Sequence, residues 1–263
     1  MFWALAADAI DTRGFEFEQV LQDIQTLNEW ALQGKLEVTA ISLHAYPFVQ
    51  DLYALLPHGG SIGHGYGPVV VAREPLTLDQ LRDREIVVPG LTTTAFLTLG
   101  LALGDVRHDV RHRVLAFDRI LDEVASGRAD AGLVIHEGQL TYEAAGLHKV
   151  LDLGEWWLLE TGLPLPLGVN VARRDVGERL PDLSAVLLDS IQAGLANRGE
   201  AMRYAMRFGR GIDTATADRF VGMYVNAFTC DYGDEGRKAV EELLRRGDAI
   251  GAFPEPVRLD YVS

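Results

Sequence analysis

The chain has 263 residues, 48% of them apolar, and its 38 acidic and 24 basic side chains give a net charge of −14. A chain of this length and composition forms one or two hydrophobic cores and is not disordered, and its single cysteine, Cys230, excludes internal disulfides. The acidic balance argues against nucleic acid and anionic membranes as partners, because both require a basic surface, and no apolar run reaches the ~18 residues of a spanning helix.

The first part of the chain contains two predicted strands separated by a helix. The alternating residues of GFEFEQVL (14–21) predict a strand. TLNEWALQG (26–34) predicts a helix that begins with a capping box formed by Thr26 and Glu29. KLEVTAIS (35–42) predicts the second strand.

Strands and helices then alternate at short intervals up to residue 173. The predicted strands are PVVVAR (68–73), EIVVPG (85–90), HRVLAF (112–117), DAGLVI (130–135), HKVLDL (148–153) and LGVNVAR (167–173). This alternation is typical of βα units and predicts a mostly parallel sheet. The Gly-rich stretch HGGSIGHGYG (58–67) is interpreted as a close approach of backbones or a flexible turn. Beyond Arg174 the pattern is nearly all helical.

Two similar strands, GPVVVAR (67–73) and LGVNVAR (167–173), bracket this alternating region. The simplest geometry has the chain leave one lobe at the first strand and return at the second. It predicts an α/β protein with a discontinuous lobe 1, residues 1–72 and 172–263, and a lobe 2, residues 73–171. A ligand cleft and hinge motion between the lobes would follow. The alternative is that V-x-V-A-R is a common strand composition that recurs by chance.

Three predicted strands end at polar residues, where open sheets bind their ligands. Ser42 follows one strand, Thr93 and Thr94 follow another, and His136 follows a third. The hydroxyl groups suit helix N-termini, whose free N–H groups and dipole also bind anions without any Lys or Arg. Simple capping is the alternative explanation for these residues.

The strand DAGLVI ends at His136 and Glu137. Imidazole ordinarily titrates near neutral pH, so a histidine here could act as a general base. The alternative is a structural histidine whose ring nitrogens bind the backbone. Glu137 either orients the ring or is a solvated turn residue, because adjacent strand residues point to opposite faces. No histidine cluster has metal-ligand spacing, so we expect no bound metal.

Several stretches, in order over nearly the whole chain, resemble the 1,4-dihydroxy-6-naphthoate synthase family. They are TLNEWALQGKL, GPVVVAR, VPGLTTTAF, FDRILDEVASGRADAGLVIHEGQLTY, GLPLPLGVNVARRD and YVNAF. The resemblance implies two α/β lobes of the type II periplasmic-binding-protein kind with two crossover strands. It also implies a cytoplasmic, cofactor-independent lyase of the futalosine route to menaquinone. Such an enzyme cleaves a small molecule, cyclic dehypoxanthinyl futalosine, to 1,4-dihydroxy-6-naphthoate and dihydroxyacetone.

The resemblance further implies a proton acceptor and two substrate-binding stretches. The proton acceptor is the histidine of GLVIHE, His136. The substrate-binding residues are Ala40, Ile41 and Ser42 in TAIS, and Thr93, Thr94 and Ala95 at the start of a helix. A carboxylated, polyhydroxylated substrate would then rest on helix N-termini beside a histidine base.

Members of the family begin with a strand and a Ser-Pro-Cys-Pro-Asn-Asp-type loop, ahead of a helix that MFWALAAD (1–8) resembles. This chain has neither, so we expect lobe 1 to lack its N-terminal strand, with ladder groups unpaired and one cleft wall open. Two alternative functions are a non-catalytic solute-binding protein for a small carboxylate and the related chorismate dehydratase, which shares the fold. The IHE strand exit argues against the dehydratase.

Overall fold

The chain folds around two β-sheets, each formed by separate regions of the sequence. A computed structural model describes residues 1–104, 111–208 and 213–263. The first sheet contains β1 (Val38–Ser42), β2 (Tyr53–Leu55), β3 (Ser61–Gly63) and β9 (Leu165–Arg173). The second contains β4 (Val69–Ala72), β5 (Ile86–Val88), β6 (His112–Val114), β7 (Ala131–Val134) and β8 (His148–Asp152). The chain therefore crosses between the sheets twice, after β3 and before β9.

Helices surround both sheets. Those up to β9 are α1 (Trp3–Ala6), α2 (Ile24–Leu32), α3 (Leu78–Arg82), α4 (Thr94–Leu103), α5 (Ile120–Ala125), α6 (Gly138–Thr141) and α7 (Leu153–Thr161). Those after β9 are α8 (Leu180–Ala196), α9 (Arg198–Ala205), α10 (Thr214–Tyr224), α11 (Ala227–Cys230) and α12 (Gly233–Ala249). Within the described ranges, none of the helices is long and apolar enough to cross a membrane.

The first sheet is antiparallel and is organised around its longest strand, β9. Strand β1 pairs with one side of β9, and β2 and β3 pair with the other. Among the described residues, β1 pairs with β9 alone and is therefore an edge strand of this sheet. At that edge the Ser42 N–H donates to Oδ1 of Asn28 at 2.8 Å. The expectation that lobe 1 lacks its N-terminal strand stays a prediction.

The second sheet has the order β6-β5-β7-β4-β8. Strand β5 runs parallel to both β6 and β7, whereas β4 is antiparallel to β7 and β8. The predicted parallel sheet is thus correct around β5 and wrong for β4 and for β9, which pairs antiparallel in the first sheet. Strand β4 runs the opposite way because the chain enters it directly from the first sheet. The carboxyl ends of β5, β6 and β7 consequently share one edge.

The two similar strands lie in different sheets. Strand β4, within GPVVVAR, pairs in the second sheet, and β9, within LGVNVAR, pairs in the first. The segments next to β4 and β9 connect the two sheets, and the two strands do not pair with each other. The lobe boundaries at residues 72/73 and 171/172 stay predictions.

Two local predictions near the N-terminus were wrong. Residues 14–21 form no strand, because no neighbouring strand supplies a hydrogen-bonded ladder and most of their side chains are exposed. Helix α2 is capped by Asp23, whose Oδ1 accepts from the Gln25 and Thr26 N–H groups at 3.1 Å. Thr26 sits in the first turn and donates its hydroxyl to Asp23, so it is not the cap. Asp23, three residues before Thr26, accepts these N–H groups and is therefore the N-cap.

The region between the sheets is tightly packed. Trp157 of α7 is fully buried and donates its ring N–H to the Pro164 carbonyl at 3.0 Å, while Leu159 on the opposite face is 87% exposed. The predicted close approach of backbones in the Gly-rich stretch is confirmed at Tyr66, whose carbonyl lies against Gly154 of α7. A Cβ on Gly154 would clash with this carbonyl, so position 154 requires glycine.

A buried histidine makes stability depend on pH. His58 is 2% exposed, and its Nε2 lies 3.0 Å from Ser184 Oγ. Burial lowers the pKa of His58 below its ordinary 6.5, against smaller opposing effects of the Ser184 hydrogen bond and the Asp231 charge. In the unfolded chain, His58 binds a proton near its ordinary pKa, whereas in the folded chain it binds one only at a lower pH.

We therefore expect the free energy of unfolding to be highest above about pH 6.5 and to fall below it, by at most ~1.4 kcal/mol per pH unit from this group. Urea unfolding of the native chain and of His58→Gln over pH 5–7 measures the contribution. The variant should show the shallower dependence on pH. Parallel curves would show that His58 does not titrate on unfolding.

Candidate functional site

The second sheet gathers three chain segments at one edge. Residues 92–94 follow β5, Phe117 follows β6 and His136 follows β7. Because these three strands are parallel, all three segments emerge at their common carboxyl edge. This edge is where open α/β sheets hold their ligands.

His136 occupies an unusual backbone conformation at this edge. Its φ is +55°, in the left-handed region, and its carbonyl accepts the Gln139 N–H at 3.2 Å. A non-glycine residue held there costs on the order of 1–3 kcal/mol, and such residues concentrate at functional sites. The half-buried ring contacts Phe117 and Phe220 edge-on, with ring centroids 4.7 Å and 6.3 Å away.

Helix α4 begins at the same edge. Thr93 caps it: its Oγ1 accepts the Phe96 N–H at 3.2 Å and donates to the Gly90 carbonyl at 2.8 Å. Capping, the alternative explanation for this residue, is thus confirmed for Thr93. Thr94 and Ala95 form the first turn of the helix, and both are buried. Their backbone N–H groups lie at the positive end of a ten-residue helix.

Thr94 ties this helix start to the first sheet. Its Oγ1 accepts the His44 N–H at 3.1 Å and donates to the Leu167 carbonyl at 2.6 Å. His44 follows β1, and its Nδ1 lies 3.1 Å from the Thr93 carbonyl. Leu167 belongs to β9. The start of α4 is therefore docked against two strands of the first sheet.

Ser42, at the end of β1, is linked to the same region by Asn28. Ser42 does not cap the following turn with its side chain; its Oγ accepts from Asn28 Nδ2 at 3.1 Å. The same Nδ2 lies 3.3 Å from both the carbonyl and the Oγ1 of Thr92. Asn28 is fully buried, and its amide joins the first sheet to the loop after β5.

Asn28 was missed by sequence reasoning. Its position in TLNEWALQGKL, one of the stretches that carry the resemblance, was the available signal. A polar residue on the buried face of a helix needs partners, but the sequence did not show which.

The structure separates the predicted site residues into two neighbouring groups. Ser42, Thr93 and Thr94 form one hydrogen-bonded junction between the sheets. Ala40 and Ile41 precede Ser42 in β1, and Ile41 is fully buried, so only its backbone is available to a ligand. His136 belongs to the second group, with Phe117 and Phe220. The two groups are related by topology, because Thr93 and Thr94 follow β5 and His136 follows β7, its parallel neighbour.

A surface depression of about 260 Å³ lies away from this site, at the opposite edge of the second sheet, where β5 and β7 begin. It is lined by Arg73, Glu74, Leu76, Arg84 and Asp130. In the part of the chain that the structure describes, no group of three or more His, Cys, Asp or Glu side chains could hold a metal ion.

Two sheets, two crossings between them and polar strand exits at their junction define the class of two-lobed, binding-protein-like α/β proteins. Similarity to the alkanesulfonate-binding protein of Xanthomonas axonopodis pv. citri, solved bound to MOPS, shows this fold. The TM-score is 0.65 at 14% identity, over 90% of this chain and 83% of that one. A solved protein of Archaeoglobus fulgidus is more similar, with a TM-score of 0.87 and 42% identity over 95% of this chain and 92% of that one.

The family model described as menaquinone biosynthesis matches residues 1–249, and the chain belongs to this family. A Thermus thermophilus relative named 1,4-dihydroxy-6-naphthoate synthase is 44% identical over 259 residues, covering 97% of this chain and 92% of the relative. A Streptomyces coelicolor relative of the same name is 41% identical over 235 residues, covering 88% of this chain and 83% of the relative. The predicted family and fold class are thereby confirmed.

Proposed function

We propose that this chain is a 1,4-dihydroxy-6-naphthoate synthase that acts in the cytoplasm. It converts cyclic dehypoxanthinyl futalosine to 1,4-dihydroxy-6-naphthoate and dihydroxyacetone, with His136 as the general base. The observation that carries the role of His136 is its placement. It is a strained, half-buried histidine at the carboxyl end of β7, on the same edge as the start of α4.

The reaction divides one substrate into two products without a second reactant. His136 takes a proton from the substrate, the carbon–carbon bond to the triose breaks, and the remaining ring becomes aromatic. A general base of this kind contributes about 10²–10⁴-fold to a rate. Because the fragments contain all the atoms of the substrate, the proton that the imidazole takes is returned within the cycle.

The aromatic rings beside His136 suit this role. Phe117 and Phe220 pack edge-on against the imidazole and limit the access of water to it. They also hold the ring in one orientation. A base that is already oriented loses little entropy when the substrate arrives.

The substrate carboxylate is assigned to the start of α4. The backbone N–H groups of Thr94 and Ala95 carry the positive end of the helix dipole, which attracts an anion without any basic side chain. The Ser42, Asn28 and Thr92 junction lies beside it, and the Ser42 hydroxyl, which accepts from Asn28, can still donate to a substrate hydroxyl. An acidic protein can thus bind an acidic substrate.

The test incubates the purified chain with cyclic dehypoxanthinyl futalosine and, separately, with chorismate, without added cofactor. We expect naphthoate and dihydroxyacetone to form in equal amounts from the first substrate and no product from the second. Binding of the futalosine derivative by calorimetry without turnover would instead support a solute-binding protein. Turnover of chorismate would identify a dehydratase. Fractionation of cells that express the chain tests its location.

A further inference from the structure

The stretch YVNAF lies at the end of α10 and anchors that helix to the first sheet. Asn226 Nδ2 donates to the Ile62 carbonyl of β3 at 2.9 Å and to the Met223 carbonyl at 3.1 Å. Its Oδ1 accepts the Phe228 N–H at 3.0 Å, which starts the next helix. One side chain therefore fixes the last turn of α10 relative to β3.

The tyrosine of the same stretch reaches across to the second sheet. Tyr224 donates its hydroxyl to Gln139 Oε1 at 2.7 Å, and the two residues are 7% and 9% exposed. Gln139 belongs to the turn that follows β7, and its N–H donates to the carbonyl of His136. Burial raises the pKa of Tyr224, so its hydroxyl stays protonated and remains a donor. The hydrogen bond thus joins an element anchored on one sheet to the turn that carries His136.

The same helix also places a ring against His136. Phe220 lies one turn before Tyr224, and the two rings contact each other with centroids 5.1 Å apart. Phe220 contacts the His136 ring, which also contacts Phe117. A shift of α10 would therefore move one wall of the space that the imidazole occupies.

We propose that Tyr224 and Gln139 are a positioning pair that holds α10 against His136. This role deepens the function proposed above and rests on it. Neither residue takes part in proton transfer. Their hydrogen bond sets the position of Phe220, and Phe220 sets the orientation of the His136 ring.

The test is a double-mutant cycle with Tyr224→Phe and Gln139→Met, each of which removes the hydrogen bond and keeps most of the volume. We expect each single variant to lower kcat about tenfold while KM changes less than about twofold, because a misplaced base weakens chemistry more than binding. The double variant should lose no more than either single variant, since all three lack the same bond. The control is Tyr142→Phe, whose hydroxyl bonds to Glu143 at the surface. It should keep the activity of the native chain.

The proton NMR signal of the His136 ring, assigned with His136→Asn, provides a readout independent of turnover. Packing between two aromatic rings displaces this signal, and we expect it to move toward its unstructured position in Tyr224→Phe and not in Tyr142→Phe. The positioning role would be overturned if the losses in kcat of the two single variants multiplied in the double variant. It would also be overturned if only KM rose, or if the His136 signal did not move in Tyr224→Phe. Absence of turnover in the native chain would overturn the proposed function, and the signal would still decide whether the pair positions His136.

Discussion

Replacing His136 by asparagine is expected to lower kcat for cleavage of cyclic dehypoxanthinyl futalosine by about 10³-fold or more. Asparagine adopts the left-handed conformation that position 136 requires, so the turn after β7 should form normally. It cannot accept and release a proton near neutral pH. Substrate affinity, measured by calorimetry, should change little, because the proposed site for the carboxylate is the start of α4 and not position 136.

The matched control is His148→Asn, at an exposed position at the beginning of β8. It should keep kcat within about twofold, because exposed positions away from the site tolerate substitution. Single-turnover measurements on all three proteins separate the chemical step from product release. If the His136 variant turned over substrate at the native rate while folded, the base would have to be another group.

Replacing Asn28 by aspartate is expected to lower the free energy of unfolding at neutral pH by about 3 kcal/mol, because it buries a charge without a partner. Aspartate has nearly the same shape but turns the donor side of the amide into an acceptor. That oxygen would face the Thr92 carbonyl and the Ser42 hydroxyl, which now surround Nδ2 at 3.1–3.3 Å. Urea unfolding at pH 7 measures the loss.

The same variant should lose activity, because Asn28 joins β1 to the loop that precedes α4. The control is Asn197→Asp, where the amide donates to the Ala193 carbonyl at an exposed helix end. Its cost should stay below about 1 kcal/mol. Equal stability of the two variants would show that the buried junction does not depend on the amide of Asn28.

Local patterns predicted the parts of the site that local chemistry determines. The end of β7 at His136 was visible because a short apolar run stops at two polar residues. Thr93 was recognisable as a cap because a hydroxyl residue preceded an apolar, helical run. The resemblance to a family added the function, which composition and spacing alone left open between an enzyme and a binding protein.

Other features depend on contacts between distant residues, and the sequence did not show them. Asn28 and Thr92 are 64 residues apart, and Tyr224 and Gln139 are 85 residues apart. The alternation of residues 14–21 predicted a strand, but a strand forms only where another strand pairs with it. The direction of β4 likewise depends on where the chain crosses between the sheets, which composition does not encode.

The most direct measurement is a crystal structure of the His136→Asn variant soaked with cyclic dehypoxanthinyl futalosine. We expect the carboxylate on the N–H groups of Thr94 and Ala95. We also expect the reacting carbon atoms within about 3–4 Å of the side chain at position 136. A substrate bound elsewhere, or bound with its triose remote from position 136, would contradict the assignment of His136 as the base.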